Sequence, residues 1–409
     1  MPLSFSTALS GLRASSNSID VSGNNIANSN TVGFKSSSVN FADVYADASS
    51  ARQIGDGVQT TDTPTNFQQG TLADTGTSTN VALQGQGFFV VGDSAANIAY
   101  TRAGDFTIDK NGFLVNPSGA KVQGYNAVNG TVPPDALIGT VQVPVGEMLP
   151  PVMTTETTFR MNLNSADVAG TEFHAPVRVF DSKGTARSLD LVFAKQVDGS
   201  YNLEATLDGT AAQVNGAATI PVTFDAAGQL TAPTSLVITP DQTTLDGASL
   251  PSINVNLRRT NPDGTPGNPN ITSYAAQSTV DSSEQDGFAA GTHAGLTYSE
   301  DGTGVLYSVF SNGQTRALAQ LAVATFASQN GLRRLGGNGY GETIESGQAS
   351  IGKAGTGGRG NITGSAIEQS NVDLATEFTD LIVAQRSYQA NSRVITTINQ
   401  TLQDLLQII

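Results

Sequence analysis

SNVDLATEFTDLIVAQRSYQANSRVITTINQTLQDLLQII, residues Ser370–Ile409, decides how the chain is organised. Apolar or small side chains recur at Leu381, Ala384, Tyr388, Ile395, Ile398, Leu402, Leu405 and Ile409 in steps of three and four, with Asn391 as a polar interruption. That period predicts a long amphipathic helix with a coiled-coil-like seam, in which Asn391 sets register as a buried Asn does in coiled coils. At about 1.5 Å per residue the stretch would run roughly 55–60 Å, too far for one small core to cover. The start of the chain offers a partner: Phe5, Leu9, Leu12, Ile19 and Ile26 keep the same spacing, with Ser16 and Gly23 at the intervening positions. An apolar helical stripe ordinarily closes an intramolecular core. Here both stripes sit at chain ends and the β-rich stretches between them show no matching helical stripe, so burial between copies of the chain is expected.

The chain has 409 residues, long enough for several domains, and 38% of them are hydrophobic, enough for ordinary cores. Only 13% are charged, about half of what soluble domains usually carry. Between Met1 and Phe34 the charged side chains are Arg13 and Asp20 alone, few for an isolated soluble helix. Such a surface packs against copies of itself with little like-charge repulsion. A net charge of −15 leaves no basic patch for phosphates, which argues against nucleic acid as a partner. There is no cysteine, hence no disulfide and no thiolate ligand or nucleophile. No apolar run reaches the length of a membrane span and no basic-then-apolar leader opens the sequence, so neither membrane insertion nor a cleaved secretory signal is expected.

Asn, Ser and Gly residues of GNNIANSNTVGFKSS, Gly23–Ser37, end the first helix near Ile26 to Asn28. Ser36 to about Gly70 is polar with little periodicity and reads as extended or loosely structured until neighbours pack on it. Strand-and-turn character begins at Leu72: Val81–Asp93 predicts a strand pair or a strand with a glycine bend, and Asn111-Gly112 between Phe106, Ile108, Phe113 and Val115 predicts a hairpin. From about Val145 to Ser283 short β-branched runs separated by Asp198-Gly199, Asp208-Gly209, Asn215-Gly216, Asp246-Gly247 and Asp263-Gly264 predict an all-β sandwich or barrel. After Gly287 the first β-style returns, with turns at Asp301-Gly302 and Asn312-Gly313, and a glycine-rich passage from Gly336 to Gly364 leads to the last helix. The expected fold is α+β and multidomain: an axial helical domain with an extended linker (1–70 and 360–409), a split β-rich middle domain (71–144 and 284–359) and an inserted all-β outer domain (145–283).

No enzyme motif survives inspection. Gly347 to Ala354 is one residue short of a Walker A loop, with Ala354 where a magnesium-binding hydroxyl belongs, and poor helix material follows. Gly355, Gly357 and Gly360 satisfy GxGxxG but lack the strand before and helix after, and in a chain of 44 glycines a flexible connector is the better reading. His174 and His293 are isolated and have no carboxylate or second histidine at ligand spacing, and nothing selects an acid–base pair from 35 acidic residues. No catalytic, cofactor-binding or metal residue is assigned.

NNIANSNTVGFKSS, Asn24–Ser37, resembles the N-terminal signature of the bacterial flagellar rod and hook axial proteins, carried by Asn24, Asn25, Ile26, Ala27, Asn28, Thr31, Gly33, Phe34 and Lys35. Ser370–Gln407 resembles their C-terminal helix, including Val372-Asp373, Gln385, Tyr388, Gln389, Ala390 and Asn391, while LQGQGFFVV and YTRAGDFTIDKNGFLVN are similar to β-segments common to the family. The large insertion, and VRVFDSKGTARSLDLVFAK at Val177–Lys195, favour a hook-type member. The resemblance implies a non-enzymatic subunit that polymerises outside the cell into a short, curved, flexible tube, a universal joint passing torque from rod to filament. It implies the terminal helices as inner wall and export through the flagellar type III apparatus without signal cleavage. The implied partners are other copies, the distal rod protein, a hook cap during assembly and the hook–filament junction protein. A distal-rod-type axial protein is the alternative within the family, and a β-rich binding module the alternative outside it.

Overall fold

The computed structural model describes residues 2–45, 55–92, 97–260 and 266–408. Helix α1 spans Pro2–Ala27 and α2 spans Leu374–Ile408. Proline is tolerated in the first turn of α1, where its missing N–H would have no helical partner. At the other end Asn28 closes the helix by donating both its backbone N–H (3.1 Å) and its side-chain amide (2.9 Å) to Asn24 O. Asp373 caps α2, its Oδ1 accepting from Ala375 N (2.9 Å) and Thr376 N (3.2 Å). No glycine or proline interrupts the 35 residues that follow, so α2 runs on for about 50 Å.

Contacts divide the chain into two units, the first of residues 1–145, 295–309 and 315–409, the second of residues 146–294 and 310–314. The helices and the split β-region, read from the sequence as separate modules, thus share the first unit.

In chain order the first unit's early strands are β1 (Asn40–Tyr45), β2 (Gly55–Asp62), β3 (Leu72–Asp74), β4 (Val81–Gln84), β5 (Phe88–Gly92) and β6 (Ile98–Thr101). Its main sheet carries β5 between Thr315–Thr325 and β6, and continues from β6 to Gly339–Gly341 and Arg333–Gly336. The unbroken apolar run Phe88-Phe89-Val90-Val91 follows from burial on both faces: Phe89 and Val91 join one core with Leu83, Leu321 and Val323, and Phe88 and Val90 another with Tyr100, Ala322 and Tyr340. Asn111-Gly112 does turn a hairpin, between Thr107–Ile108 and Leu114–Val115.

Of the two readings of Val81–Asp93, the strand with a glycine bend holds: β4 and β5 do not pair, Gly85 at φ +107° turns the chain between them, and β4 joins Asn361–Gly364, while Asp93 lies outside the described residues. Two expectations are corrected. Ser36 to Gly70 is not loose: β1 and β2 form an antiparallel hairpin, with 46–54 outside the described residues. Its polar sequence suits its neighbour, since α1 meets it with hydroxyls: Ser6 Oγ donates to Asp56 (2.8 Å) and Val58 N donates to Ser10 Oγ (3.1 Å). The glycine-rich passage is not a flexible connector, because Ser350–Lys353 and Asn361–Gly364 are strands of the β-structure. There glycine permits close approach, a Cβ on Gly360 falling 2.4 Å from Gln84 O. Gly347 to Ala354 consequently ends in a strand and opens no helix.

The second unit is all β. Glu172–Phe180, Ala186–Lys195 and Tyr201–Leu207 form an antiparallel meander with strict alternation, Ala175, Val177 and Val179 facing in while Pro176 and Arg178 face out. The sheet continues through Thr210–Val214, Ser235–Thr239, Ile253–Asn256 and Glu156–Asn162 to Ile271–Thr272. Val179 at one end and Ile271 at the other belong to one core cluster, so the sheet curls round a single interior. Asp208-Gly209 and Asn215-Gly216 turn with positive φ at both residues, as tight hairpin turns require; Asp263-Gly264 lies outside the described residues. His174 contacts Asp190 at 2.7 Å on the paired strand and Glu172 at 4.0 Å, an exposed polar group.

Candidate functional site at the joined termini

Helices α1 and α2 pack together through small and polar faces. Ala8, Ser15, Ser22 and Asn25 are buried on α1, and Gly11 abuts α2 so closely that a Cβ there would lie 2.8 Å from Asn391 Nδ2. A groove of about 560 Å³ runs between the helices and the β1–β2 hairpin, lined on α1 by Gly11, Ser15, Ser18 and Ser22 and on α2 by Asp380, Ala384, Ser387 and Asn391. The apolar stripe of α1 lies about a quarter-turn from this contact face, at about 100° per residue. Leu9, Leu12, Ile19 and Ile26 are half-buried, and Phe5 is 40% exposed. On α2 the stripe and the contact face overlap: Ala384 is buried, Leu381, Asn391, Ile395 and Ile398 are half-buried, and Tyr388 and Leu402 are exposed. The side chain of Leu405, and Ile409 altogether, lie outside the described residues. Leu374, Phe378 and Ile382, one turn apart on α2, are exposed as well.

The segment leaving α1 ties the two chain ends together. Asn25 is 2% exposed; its amide nitrogen donates to Ser37 O (2.7 Å) and to Glu377 Oε1 of α2 (2.8 Å), and its Oδ1 accepts from Ser37 N (3.0 Å). Asn24, Asn28 and Thr31 act locally: Asn28 Nδ2 donates to Asn24 Oδ1 (2.6 Å) and Thr31 Oγ1 donates to Asn28 Oδ1 (3.1 Å). Ala27 is exposed. Gly33, at φ +67°, donates its N–H to Glu368 O (2.7 Å) and presses on the backbone, a Cβ there falling 2.4 Å from Ala103 N. Phe34 is buried with the Arg334 guanidinium 5.8 Å from its ring centre, and Arg334 Nη2 donates to Lys35 O (3.0 Å) and Ser37 Oγ (2.7 Å). Asn371, just before α2, accepts from Ser36 N (2.9 Å) and donates to Asn66 O (2.8 Å) and Gln68 O (3.0 Å).

At the centre lies a buried charge cluster. Lys35 and Glu368 are both fully buried, with Lys35 Nζ 2.5 Å from Glu368 Oε1 and donating also to Gln68 O (2.6 Å). Gly70 N donates to the same Oε1 (2.9 Å), and Arg102, itself buried, brings Nη1 to 3.5 Å from Oε2. Glu368 is held there by strand Ala366–Glu368, which pairs with β3. Two cations share one carboxylate, and desolvation dominates: burial holds the Lys35 amine below the usual lysine range although Glu368 pulls it up, and burial likewise lowers Arg102 against the pull of Glu368. Breaking such a pair costs far more than the pair contributes, so the cluster specifies how the two ends meet. Reasoning from the sequence passed over Arg102, Arg334, Glu368 and Asn371. The available signal was the sparseness of charge, which makes a charged side chain inside a strand pattern, as in YTRAGD or SAIEQ, a candidate for pairing.

Family models match four stretches of the chain: the flagella basal body rod protein at 5–35, the flagellar hook protein FlgE/F/G D1 domain at 82–148, the flagellar basal body protein FlaE D2 domain at 148–288 and the flagellar basal body rod FlgEFG protein C-terminal at 363–408. The flagellar hook protein FlgE of Salmonella typhimurium is 34% identical over 427 aligned residues, covering 99% of this chain and all of that protein. The chain belongs to the flagellar hook protein family. Hook proteins of Escherichia coli K12 (33% identical, 99% of this chain and all of that one) and Borreliella burgdorferi (32%, all of both chains) are similarly related. In fold, the crystal structure of the Helicobacter pylori flagellar hook protein FlgE2 superposes with a TM-score of 0.51 over 73% of this chain and all of that one, at 15% identity. Lys35 ends the N-terminal match, Arg102 lies within the D1 match and Glu368 within the C-terminal one.

Proposed function

We propose that this chain, a structural, non-enzymatic subunit of the bacterial flagellar hook, polymerises through its terminal helices into a curved, flexible tube that passes torque from rod to filament. The observation that carries this reading is the uncovered apolar surface of the helix pair: Phe5 (40% exposed), Phe378 (49%), Ile382 (50%) and Leu402 (41%) face solvent in the single chain. Covering the exposed part of each, a little under half of the side chain, contributes roughly 1 kcal/mol, and copies of the same chain offer the matching surface. The small-residue contact of α1 with α2 then positions each subunit's own helices, and the stripes of Phe5, Leu9, Leu12 and Ile19 and of Leu374, Phe378 and Ile382 meet neighbours. Asn391, opposite Gly11, sets the register of the pair.

The described residues of Ser36 to Gly70, and Gly336 to Gly364, are hydrogen-bonded into the first unit, so bending is assigned to contacts between copies, where weakly charged polar surfaces slide at small cost. The distal rod, a hook cap, the hook–filament junction protein and the type III export apparatus are the further partners this role requires. Electron microscopy of the purified full-length chain under polymerising conditions tests the reading. Helical tubes are expected, and none from a chain ending before Leu374; tubes from that truncation would sink it.

A further inference from the structure

Leu374, Phe378, Ile382 and Arg386 stand four residues apart on α2, and all four are exposed. Side chains at that spacing form one continuous ridge on a helix surface. At about 100° per residue the ridge lies on the far side of α2 from the groove, whose α2 wall includes Asp380, Val383, Ser387 and Asn391. The groove, about 560 Å³, has small α1 side chains along it, Gly11, Ala14 and Ser15, and apolar rims at Val383 (57% exposed) and Phe41 (46%). An apolar ridge and a groove floored by small residues are the two halves of a helix-packing contact. One chain cannot join them, because they lie back to back on one helix. Opposite charges mark the two surfaces as well: Arg386 continues the ridge, Asp380 stands on the groove wall, and neither has an ion-pair partner among the described residues.

We propose that the groove receives the ridge of Leu374, Phe378, Ile382 and Arg386 from a second copy of this chain. The proposal rests on the polymer reading and names two surfaces that meet in it. Because ridge and groove are different surfaces, each joined pair still offers one unused ridge and one unused groove. The contact therefore propagates from copy to copy and does not close a symmetric dimer.

The full-length chain contains no cysteine, so introduced thiols report the contact without background. Tubes are assembled from an equal mixture of Ile382→Cys chains and Phe41→Cys chains and treated with a short bismaleimide. Covalent dimers are expected from the mixture and not from tubes of either variant alone. Charge reversal gives a second measurement if the cysteine chains do not assemble. Asp380→Arg and Arg386→Asp, both at exposed positions, should each raise the protein concentration needed for tubes at least about tenfold, and the double variant should recover most of that loss. Residues six apart do not face each other on a helix, so the recovery cannot arise within one chain. Tubes whose mixture yields no dimer, dimers formed equally well by Ile382→Cys chains alone, or a double variant no better than the single ones would overturn the contact and leave the polymer reading standing. Absence of tubes from the unsubstituted chain would remove both.

Discussion

Glu368→Gln isolates charge from shape at the joint. The amide oxygen can still accept from Lys35 Nζ and Gly70 N, the two donors now 2.5 and 2.9 Å from Oε1, but two buried cations lose their counter-charge. Each loses an attraction on the order of 4 kcal/mol at the effective dielectric of a protein. The total is bounded because Lys35 can shed its proton: from an ordinary pKa of 10.5, neutralising an amine at pH 7 costs about 5 kcal/mol. A loss of roughly 3–5 kcal/mol is therefore expected. Lys35→Met should cost less, about 1–3 kcal/mol, because Glu368 keeps Arg102 and Gly70 N and Gln68 O keeps the Asn371 amide. Urea unfolding of the monomer followed by far-ultraviolet circular dichroism gives both values. Hydrogen exchange at Gly33 N, which donates to Glu368 O, localises the effect. If Lys35→Met proved as damaging as Glu368→Gln, the claim that one carboxylate neutralises two cations would be refuted.

Gly33→Ala should destabilise by on the order of 3 kcal/mol in the same denaturation assay, since it combines a left-handed φ of +67° with a backbone atom 2.4 Å from the new Cβ. Gly11→Ala should be close to neutral, because the nearest atom its Cβ meets is the terminal amide nitrogen of Asn391, which a small rotation moves aside, and alanine gains about 1 kcal/mol of helix propensity; Gly11→Leu should instead part the helices and speed amide exchange in α2. Burial, and then Glu342, raise the Tyr100 phenol from 10.0 to about 12. The folded chain then keeps a proton that the unfolded chain loses between those values, so stability falls as pH rises through that window. Tyr100→Phe should reduce this fall, seen by comparing melting temperatures at about pH 9 and about pH 11; an undiminished fall would assign it elsewhere.

Periodicity alone determined the existence, type and length of the terminal helices, the β character of the interior, and most hairpin turns, because each rests on interactions within a few residues: the helical repeat of Leu381 to Leu402, the strand alternation of Ala175 to Val179, the Asn111-Gly112 turn. The motifs around Asn25 and Asn391 likewise pointed to the family. Tertiary structure alone decided which faces meet. Hydrophobic spacing selects the largest side chains, whereas the α1–α2 contact is set by how closely backbones can approach, which favours Gly11, Ser15 and Ser22 over Leu9 and Leu12. It also decided that β4 pairs with a strand nearly three hundred residues away and not with β5, and that Lys35, Arg102 and Glu368 converge. Those choices are settled by desolvation and packing between distant segments, and no local pattern records the energy of a charge whose counter-charge arrives from the other end of the chain.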